Sequence, residues 1–252
     1  MNKPVLRLYK TIFLAQFRPE LSYFNQFRTA ASKLSGYPQW GTDANSVTLR
    51  DYKTRCSVAI ATNSICFSQD SEDITTTSKR LQEALEVVPR ELNVQKLFRI
   101  GYRRQYLASF EGSFEDLVTI LDVKLLSQKK ELLQRLPSIK TDLLYRVDLK
   151  DGQNMYHLTI GPVRRQEVPN WIQFEPENHL APDVRQEQYL SILASYPEVA
   201  TLIDIDMYRA SSDIPITDSI SFVELAERKT AELARSLNDY LFSAGVTTNG
   251  KH

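Results

Sequence analysis

Segments typical of β-strands and segments typical of α-helices alternate along the first 110 residues, and this order limits the folds open to the chain. β-Branched and aromatic residues mark the strands, whereas apolar residues three and four positions apart mark the helices. The predicted elements are, in order, a strand from Val5 to Phe17, a helix from Glu20 to Gly36, a hairpin of strands Val47–Ala61 and Ser64–Ser68, a helix from Glu72 to Val88 that Pro89 ends, and a strand from Val94 to Phe110. The order β-α-β-β-α-β predicts a ferredoxin-like α+β arrangement.

The second half of the chain, residues 111–245, also mixes helices and strands, and it predicts a second antiparallel α+β half. Ser113 and Asp116 form a capping pattern for a helix that reaches Leu136. Alternating runs on either side of Asp151-Gly152 predict a hairpin. The remaining predicted elements are a strand from Trp171 to Glu177, a helix from Asp183 to Tyr196 and a strand that contains Asp204. One continuous sheet and two sheets around a shared core, covered by helices, both fit this order.

An amphipathic helix is predicted at the end of the second half. Ser221 and Glu224 have the spacing of a capping box, and a glycine is expected to end the helix. Its predicted core-facing stripe consists of Phe222, Leu225, Leu233, Leu237 and Leu241. The polar tail, residues 246–252, is expected to be disordered. We therefore divide the chain into residues 1–110, residues 111–245 and this tail.

The chain carries equal numbers of basic and acidic residues, 31 of each, so its formal net charge is zero. Dedicated nucleic-acid binders usually have a basic excess, because neutralising phosphates supplies much of their affinity. The sequence has no apolar window of about 18 residues, the length that a membrane-spanning helix needs. Arg7, Lys10 and Gln16 interrupt the apolar start that a signal peptide would need. We therefore expect a cytoplasmic protein without a membrane partner, and nucleic-acid binding stays open as an alternative.

Cys56 and Cys66 are the only two cysteines of the chain, and both fall on the first predicted hairpin. If the turn lies at Thr62-Asn63, Cys66 faces Ala59, whereas Cys56 points to the other face of the sheet. The sequence therefore predicts two free thiols. It also shows no Cys/His spacing of a zinc site.

The segment TLIDIDMYRA, residues 201–210, places two carboxylates on a predicted strand. Because side chains alternate along a strand, Asp204 and Asp206 share one face, with Cα atoms about 6.5–7 Å apart. Such a pair can bind one Mg²⁺ if the side chains converge. The alternative is a charge ladder with cations of neighbouring strands, such as Arg99 and Arg103, which also share one face. The sequence has no further acidic residue at a motif spacing and no glycine-rich phosphate loop, so it favours the ladder and predicts no metal.

Two arginine doublets are the candidates for binding a phosphate or another anionic ligand. Arg103 and Arg104 alternate with tyrosines, which can stack on bases, and Arg164 and Arg165 repeat the doublet. The alternative is an ordinary strand whose arginines face solvent. His157 lies on a predicted strand, but a general base needs an orienting acid or a nucleophile nearby, and the sequence identifies neither. No catalytic residue and no cofactor are assigned.

Three short segments occur in the order FLAQFRPEL, FRIGYRRQY and LIDIDMY, the last before a predicted C-terminal helix. In this order they resemble the landmarks of a sporadically distributed bacterial protein family of about this length and of unknown function. The second segment departs from the family pattern, because Arg104-Gln105 stands where a tyrosine-asparagine ending is expected. The resemblance implies an accessory gene, on mobile or defence-associated DNA, and it transfers no catalytic residue.

The sequence favours a non-catalytic function, in which the chain is a binding or adaptor subunit that recognises a partner protein. The reasons are the absence of a converging catalytic set and the zero net charge. The alternative is an enzyme or sensor for a nucleotide or another phosphorylated ligand, with a metal on Asp204 and Asp206 and phosphate on the arginines. A third hypothesis is a nucleic-acid binder that uses the arginine doublets. The sequence leaves homo-oligomer formation open.

Overall fold

The computed structural model describes residues 4–70, 74–126, 142–172 and 182–243. Within these residues, nine strands form one antiparallel sheet, so the two halves of the chain share a sheet. The strands are β1 (Leu6–Gln16), β2 (Gln39–Thr42), β3 (Ser46–Asp51), β4 (Cys56–Ala61), β5 (Ser64–Gln69), β6 (Lys96–Ser109), β7 (Tyr145–Asp151), β8 (Asn154–Arg164) and β9 (Val199–Pro215). The helices are α1 (Tyr23–Ser32), α2 (Ile74–Leu92), α3 (Phe114–Leu126), α4 (Val168–Trp171), α5 (Pro182–Ser195) and α6 (Ser219–Phe242). The predicted α+β class is confirmed.

The sheet has the strand order β2-β3-β4-β5-β1-β6-β9-β8-β7. Its three central strands, β1, β6 and β9, come from distant parts of the sequence, and β6 pairs with β9 from Lys96 to Ser109. These strands contain most of the three segments that carry the family resemblance. The pairing of β6 with β9 joins the first half of the chain to the second.

One face of the sheet, here called the covered face, packs against α1, α2, α3 and α6. It carries large apolar side chains such as Phe13, Phe67, Tyr102 and Ile205, all fully buried. The alternation along each strand places polar or small residues on the other side, called the open face. The residues of β9 that the sequence singled out, with Asp204 among them, lie on this open face.

A smaller apolar cluster covers one end of the open face. Leu107 and Leu202 lie there beneath Val168, Ile172 and Tyr196, which belong to α4 and to the segments that flank α4 and α5. Elsewhere on the open face, the side chains of the described residues are mostly half-buried or exposed. None of the described helices combines the length and the apolar character needed to cross a lipid bilayer.

The predicted long strand Val47–Ala61 is wrong, because the structure divides it into β3 and β4. The Asp51 carboxylate accepts hydrogen bonds from the backbone N–H groups of Lys53 and Thr54, at 3.0 and 3.4 Å, and from the Thr54 hydroxyl at 2.7 Å. Arg55 completes the turn in the left-handed region, with φ of 53°. Aspartate side chains that bond to following N–H groups favour turns over strands. The edge strand β2 was also not predicted.

Two predicted helix boundaries are also wrong. Helix α2 continues through Pro89 to Leu92, because a proline in the last turn removes only one backbone donor. The helix ends instead at Asn93, which has a φ of 57° and lets the Val94 N–H donate to the Pro89 carbonyl at 2.8 Å. Helix α6 begins at Ser219. The predicted capping box at Ser221 does not form, since this hydroxyl donates to the Asp218 carbonyl at 2.9 Å.

Two other local predictions are confirmed. The Ser113 hydroxyl accepts from the Asp116 N–H at 3.1 Å and donates to the Asp116 carboxylate at 2.7 Å, which caps α3. The β7–β8 hairpin turns at Gly152, whose φ is +60°. The predicted end of α3 at Leu136, most of the strand predicted after Trp171 and the tail 246–252 lie outside the described residues. Trp171 itself belongs to α4 and not to a strand.

The two cysteines lie on opposite faces, as predicted. Cys66 pairs with Ala59 on the open face, and Cys56 is buried on the covered face, where burial raises the pKa of its thiol to about 11. The structure records both as free. We expect iodoacetamide, which reacts with the thiolate, to modify Cys66 before Cys56 in the folded protein. Mass spectrometry of protein unfolded without reductant should then find both cysteines alkylated, and a disulfide-linked peptide would contradict this.

The buried stripe of α6 differs in part from the predicted one. Phe222 and Leu241 are fully buried, whereas Leu225, Leu233 and Leu237 are only half-buried beside the core. We expect Leu241→Ala to lower the free energy of unfolding by about 2–5 kcal/mol, the usual cost of truncating a buried leucine. Leu237→Ala should cost less, because water already reaches its side chain. Urea denaturation of both variants checks this order, and equal losses would contradict the assigned helix face.

Candidate functional site

Asp204 is a buried carboxylate on the open face, with a relative exposure of only 5%. The Arg103 Nε donates to its Oδ1 at 2.8 Å, and the Arg103 Nη2 donates to its Oδ2. The Gln105 side-chain amide donates both to Oδ2 and to the Trp171 carbonyl, each at 3.0 Å. The predicted pairing of this aspartate with a cation of a neighbouring strand is confirmed for Arg103. Strand β6 therefore fixes the carboxylate, and Gln105 ties it to α4.

Asp206 lies in a looser arrangement two residues further along β9. The closest atoms of its ion pair, Arg99 Nη2 and Asp206 Oδ2, are 3.8 Å apart. The Arg99 guanidinium stacks over the Tyr208 ring, 4.7 Å from its centroid, and Gly101, the strand partner of Tyr208, has no side chain that could occupy this space. Burial raises the pKa of the Asp206 carboxyl above its ordinary value, although the nearby arginines act in the opposite direction. The two aspartates of one strand face thus differ in how well their charge is stabilised.

His157 on β8 lies directly opposite Asp206 and has an acidic partner that the sequence analysis missed. Its Nδ1 is 2.5 Å from the Asp148 Oδ1, and its ring centroid is 4.9 Å from that of Tyr208. The signal was available, because a two-residue turn after Asp151 pairs position 148 with position 157. A carboxylate of this kind can orient an imidazole, as a general base requires. Both members are exposed, and a reacting group would have to come from a bound molecule.

Arg104 points to the covered face, away from Arg103, and is 3% exposed. Its Nη2 lies 3.2 Å from the Glu227 carboxylate of α6 and 3.3 Å from the Tyr102 hydroxyl. The Tyr102 hydroxyl donates to the same carboxylate at 2.7 Å. This arrangement fastens α6 to the sheet. The structure therefore places the two arginines of the first doublet on opposite faces.

The second doublet lies at the far end of β9. Arg165 pairs with Glu198 at 2.7 Å, and Arg164 stacks on the Phe114 ring at 3.5 Å and approaches the carboxylates of α3 and of the turn after β8. Arg164 is opposite Val199, whereas Arg103 is opposite Asp206. Seven residues of strand separate these positions by about 23 Å, at about 3.3 Å per residue. The four candidate arginines are not brought together, and whether any of them binds an anion stays a prediction.

Both oxygens of Asp204 accept hydrogen bonds from Arg103 or Gln105. A metal ion shared with Asp206 would have to displace this arginine. In the part of the chain that the structure describes, no group of three or more His, Cys, Asp or Glu side chains is placed to hold a metal ion. This geometry fits a pair of side chains held by an ion pair better than it fits a cation site. The absence of metal binding stays a prediction, which titration with Mg²⁺ would test.

The chain matches no protein-family model, and it is not significantly similar to any curated protein. The resemblance to the sporadically distributed bacterial family therefore stays a proposal. The function is therefore inferred from the side chains and contacts of the open face.

The different surroundings of the two aspartates predict opposite effects of neutralising them. Since burial holds the folded-state pKa of Asp206 above that of the unfolded chain, its charge costs stability once the pH exceeds about 3.9, the ordinary pKa of aspartate. We expect Asp206→Asn to raise the free energy of unfolding at pH 7, and the gain to vanish below about pH 4. Asp204→Asn should lower it by about 1–3 kcal/mol, because Arg103 loses its charged acceptor.

Urea denaturation of both variants and wild type between pH 3 and pH 7 checks these two directions. Circular dichroism before unfolding controls for the native fold. A loss of stability in Asp206→Asn at pH 7 that matches the loss in Asp204→Asn would contradict the assigned difference between the two carboxylates.

Proposed function

We propose that the chain is a non-catalytic binding protein that recognises a partner protein across the open face of its sheet. The observation that carries the proposal is a row of ionic side chains on β6, β9, β8 and β7, beyond the end that α4 and α5 cover. We call this set the charged row. It consists of Arg99, Arg103, Arg146, Asp148, Lys150, His157, Asp204 and Asp206, which the strand registers place on one face.

The balance of charge on this row favours a protein partner over nucleic acid. Four arginines and lysines alternate with three aspartates on neighbouring strands. A nucleic acid presents a uniform array of phosphates, which the aspartates would repel. A protein surface of mixed charge can instead place an opposite charge against each group, which gives specificity and orientation. The zero net charge of the whole chain agrees with this preference.

The fixed positions of several side chains in the charged row support the proposal that this surface binds a partner protein. Asp204 is held by three side-chain hydrogen bonds from Arg103 and Gln105, and Arg99 is stacked on Tyr208. A preorganised side chain loses less conformational freedom when a partner binds. Arginine and tyrosine are also the residues that contribute most often to the energetic centres of interfaces. We infer that Arg99 and Tyr208 lie at the centre of the contact.

The finer assignments of fold, location and origin belong to the same proposal. The order β4-β5-β1-β6, with α1 and α2 as connections, supports a ferredoxin-like unit to which the hairpin strands β2 and β3 and the strands β7–β9 are added. We propose a cytoplasmic protein of a bacterial accessory or defence-associated gene, on the resemblance of the three central segments. The division into residues 1–110 and 111–245 stays a prediction.

Charge reversal on the row should abolish partner capture. We expect the tagged wild-type chain to capture a protein from a lysate of its native host, and Arg99→Glu and Lys150→Glu each to lose that protein. The matched control is Arg90→Glu on α2, because Arg90 is exposed on the other side of the sheet and its reversal should leave capture intact. Quantitative mass spectrometry of the captured proteins, with nuclease-treated lysate, provides the measurement.

Lys150 is exposed at the edge strand β7, so its variant tests the face even if Arg99→Glu disturbs the packing around Asp206. Capture that survives both open-face variants would overturn the proposal. Capture that disappears on nuclease treatment would favour the nucleic-acid hypothesis instead, and the absence of any captured protein would remove the support for an adaptor.

A further inference from the structure

Strand β7 forms one edge of the sheet, since among the described strands only β8 pairs with it. An edge strand leaves the backbone N–H and C=O groups of every second residue without a strand partner, and another strand can be added there. Leu149 on this strand is 41% exposed, and Leu144 just before it is 43% exposed. The edge therefore offers both backbone groups and apolar side chains to a second chain.

The open face of β7 carries three exposed ionic side chains of alternating sign, which are Arg146, Asp148 and Lys150. Asp148 contacts His157 through Oδ1, and a carboxylate has further positions at which it can accept hydrogen bonds. The strand partner of Arg146 is the neutral Thr159. Within the part of the chain that the structure describes, neither Arg146 nor Lys150 forms an ion pair. Arg146 can therefore pair with a carboxylate on a strand added at this edge.

The alternating charges of β7 limit how the strand can pair with the same strand of a second copy. Antiparallel pairing of two identical edges creates a two-fold axis, keeps the open faces of both copies on one side, and brings one residue opposite itself. With Asp148 at the axis, two aspartates meet, and Arg146 meets the partner's Lys150. With Val147 at the axis, Arg146 meets the partner's Asp148, and Asp148 meets the partner's Arg146. The register centred on Val147 therefore forms two attractive pairs, whereas the neighbouring register brings like charges together.

The apolar side chains of β7 favour the same register. With Val147 at the axis, it meets the partner's Val147, and Tyr145 meets the partner's Leu149. Opposite residues of antiparallel strands have Cα atoms about 4.5–5.5 Å apart, so these side chains would be in contact. With Leu149 at the axis, Val147 would instead lie opposite the partner's Asp151. The charged face and the apolar face of β7 thus agree on one alignment.

We propose that two copies of this chain form a dimer by antiparallel pairing of β7 with β7, with Val147 at the two-fold axis. The pairing joins the two sheets into one, and Arg146 and Asp148 form ion pairs across the interface. A second copy is the occupant of this edge because the strand is complementary to itself in this register. The opposite edge strand, β2, has no charged side chain among its four residues, so it carries no comparable signal. The dimer does not depend on which protein the charged row binds.

Analytical ultracentrifugation of the full chain tests the proposal. We expect the wild type to show a concentration-dependent equilibrium between monomer and dimer. Arg146→Asp and Asp148→Arg each place two like-charge pairs in the interface and should weaken the dimer at least about tenfold. An equimolar mixture of the two variants should dimerise again, because each chain then meets opposite charges on the other. Circular dichroism of each variant controls for the native fold.

Lys150→Glu is the matched control for these charge changes. Lys150 is on the same strand and the same face, but in the proposed register it lies opposite the partner's Leu144 and not opposite a charge. The variant should therefore keep the dimer, although it should lose the protein captured by the charged row. Failure of the dimer and failure of partner recognition can in this way be told apart.

A cysteine at the axis tests the register directly. Val147→Cys should give a disulfide-linked dimer on mild oxidation, because opposite residues of antiparallel strands have the Cα spacing of a disulfide. Leu149→Cys, opposite the partner's Tyr145, and the wild type with its own two thiols should not. A chain that stays monomeric at its highest soluble concentration would overturn the proposal. So would a dimer that either charge variant leaves intact, a mixture that does not dimerise again, or stronger cross-linking of Leu149→Cys than of Val147→Cys.

Discussion

The pairing of β6 with β9 is the contact on which the rest of the sheet depends. It runs from Lys96 to Ser109 and connects β1–β6 with β7 and β8. Because the paired residues are about a hundred positions apart in sequence, the chain must close a long loop before the pairing contributes to stability. The same register places Asp204 opposite Gln105 and Asp206 opposite Arg103. The architecture and the charged row therefore arise from one alignment of two strands.

Strand β6 carries ionic groups on both of its faces, and the two networks differ in kind. On the covered face, Arg104 binds Glu227 and Tyr102 beneath α6, where removal of one partner would leave a charge without compensation in the core. On the open face, Arg103 binds Asp204 but keeps a side-chain exposure of 41%. The Arg103–Asp204 pair on the open face is therefore accessible to solvent and to a second protein. The adjacent positions 103 and 104 thus belong to the proposed recognition surface and to a structural anchor, respectively.

Sequence patterns correctly predicted the features that depend on residues close together in the chain. The Ser113 cap, the turn at Gly152 and the opposite orientation of the two cysteines follow from spacing and alternation alone. The hairpin register could also have revealed the Asp148–His157 pair. The contacts of Asp204 could not be derived in this way, because they require the register of two strands distant in sequence. The turn at Asp51 was missed for another reason. The residues around it have the pattern of one continuous strand, but the Asp51 carboxylate accepts a hydrogen bond from the Lys53 N–H and so favours a turn.

Gln105 holds one end of the charged row in place. It is the strand partner of Lys10 on β1, and its side-chain amide donates both to Asp204 and to the Trp171 carbonyl. Because Gln105 is almost fully buried, water competes little for these two hydrogen bonds. The orientation of Asp204, and with it that of Arg103, therefore depends on the packing of α4 as well as on the register of β6 with β9.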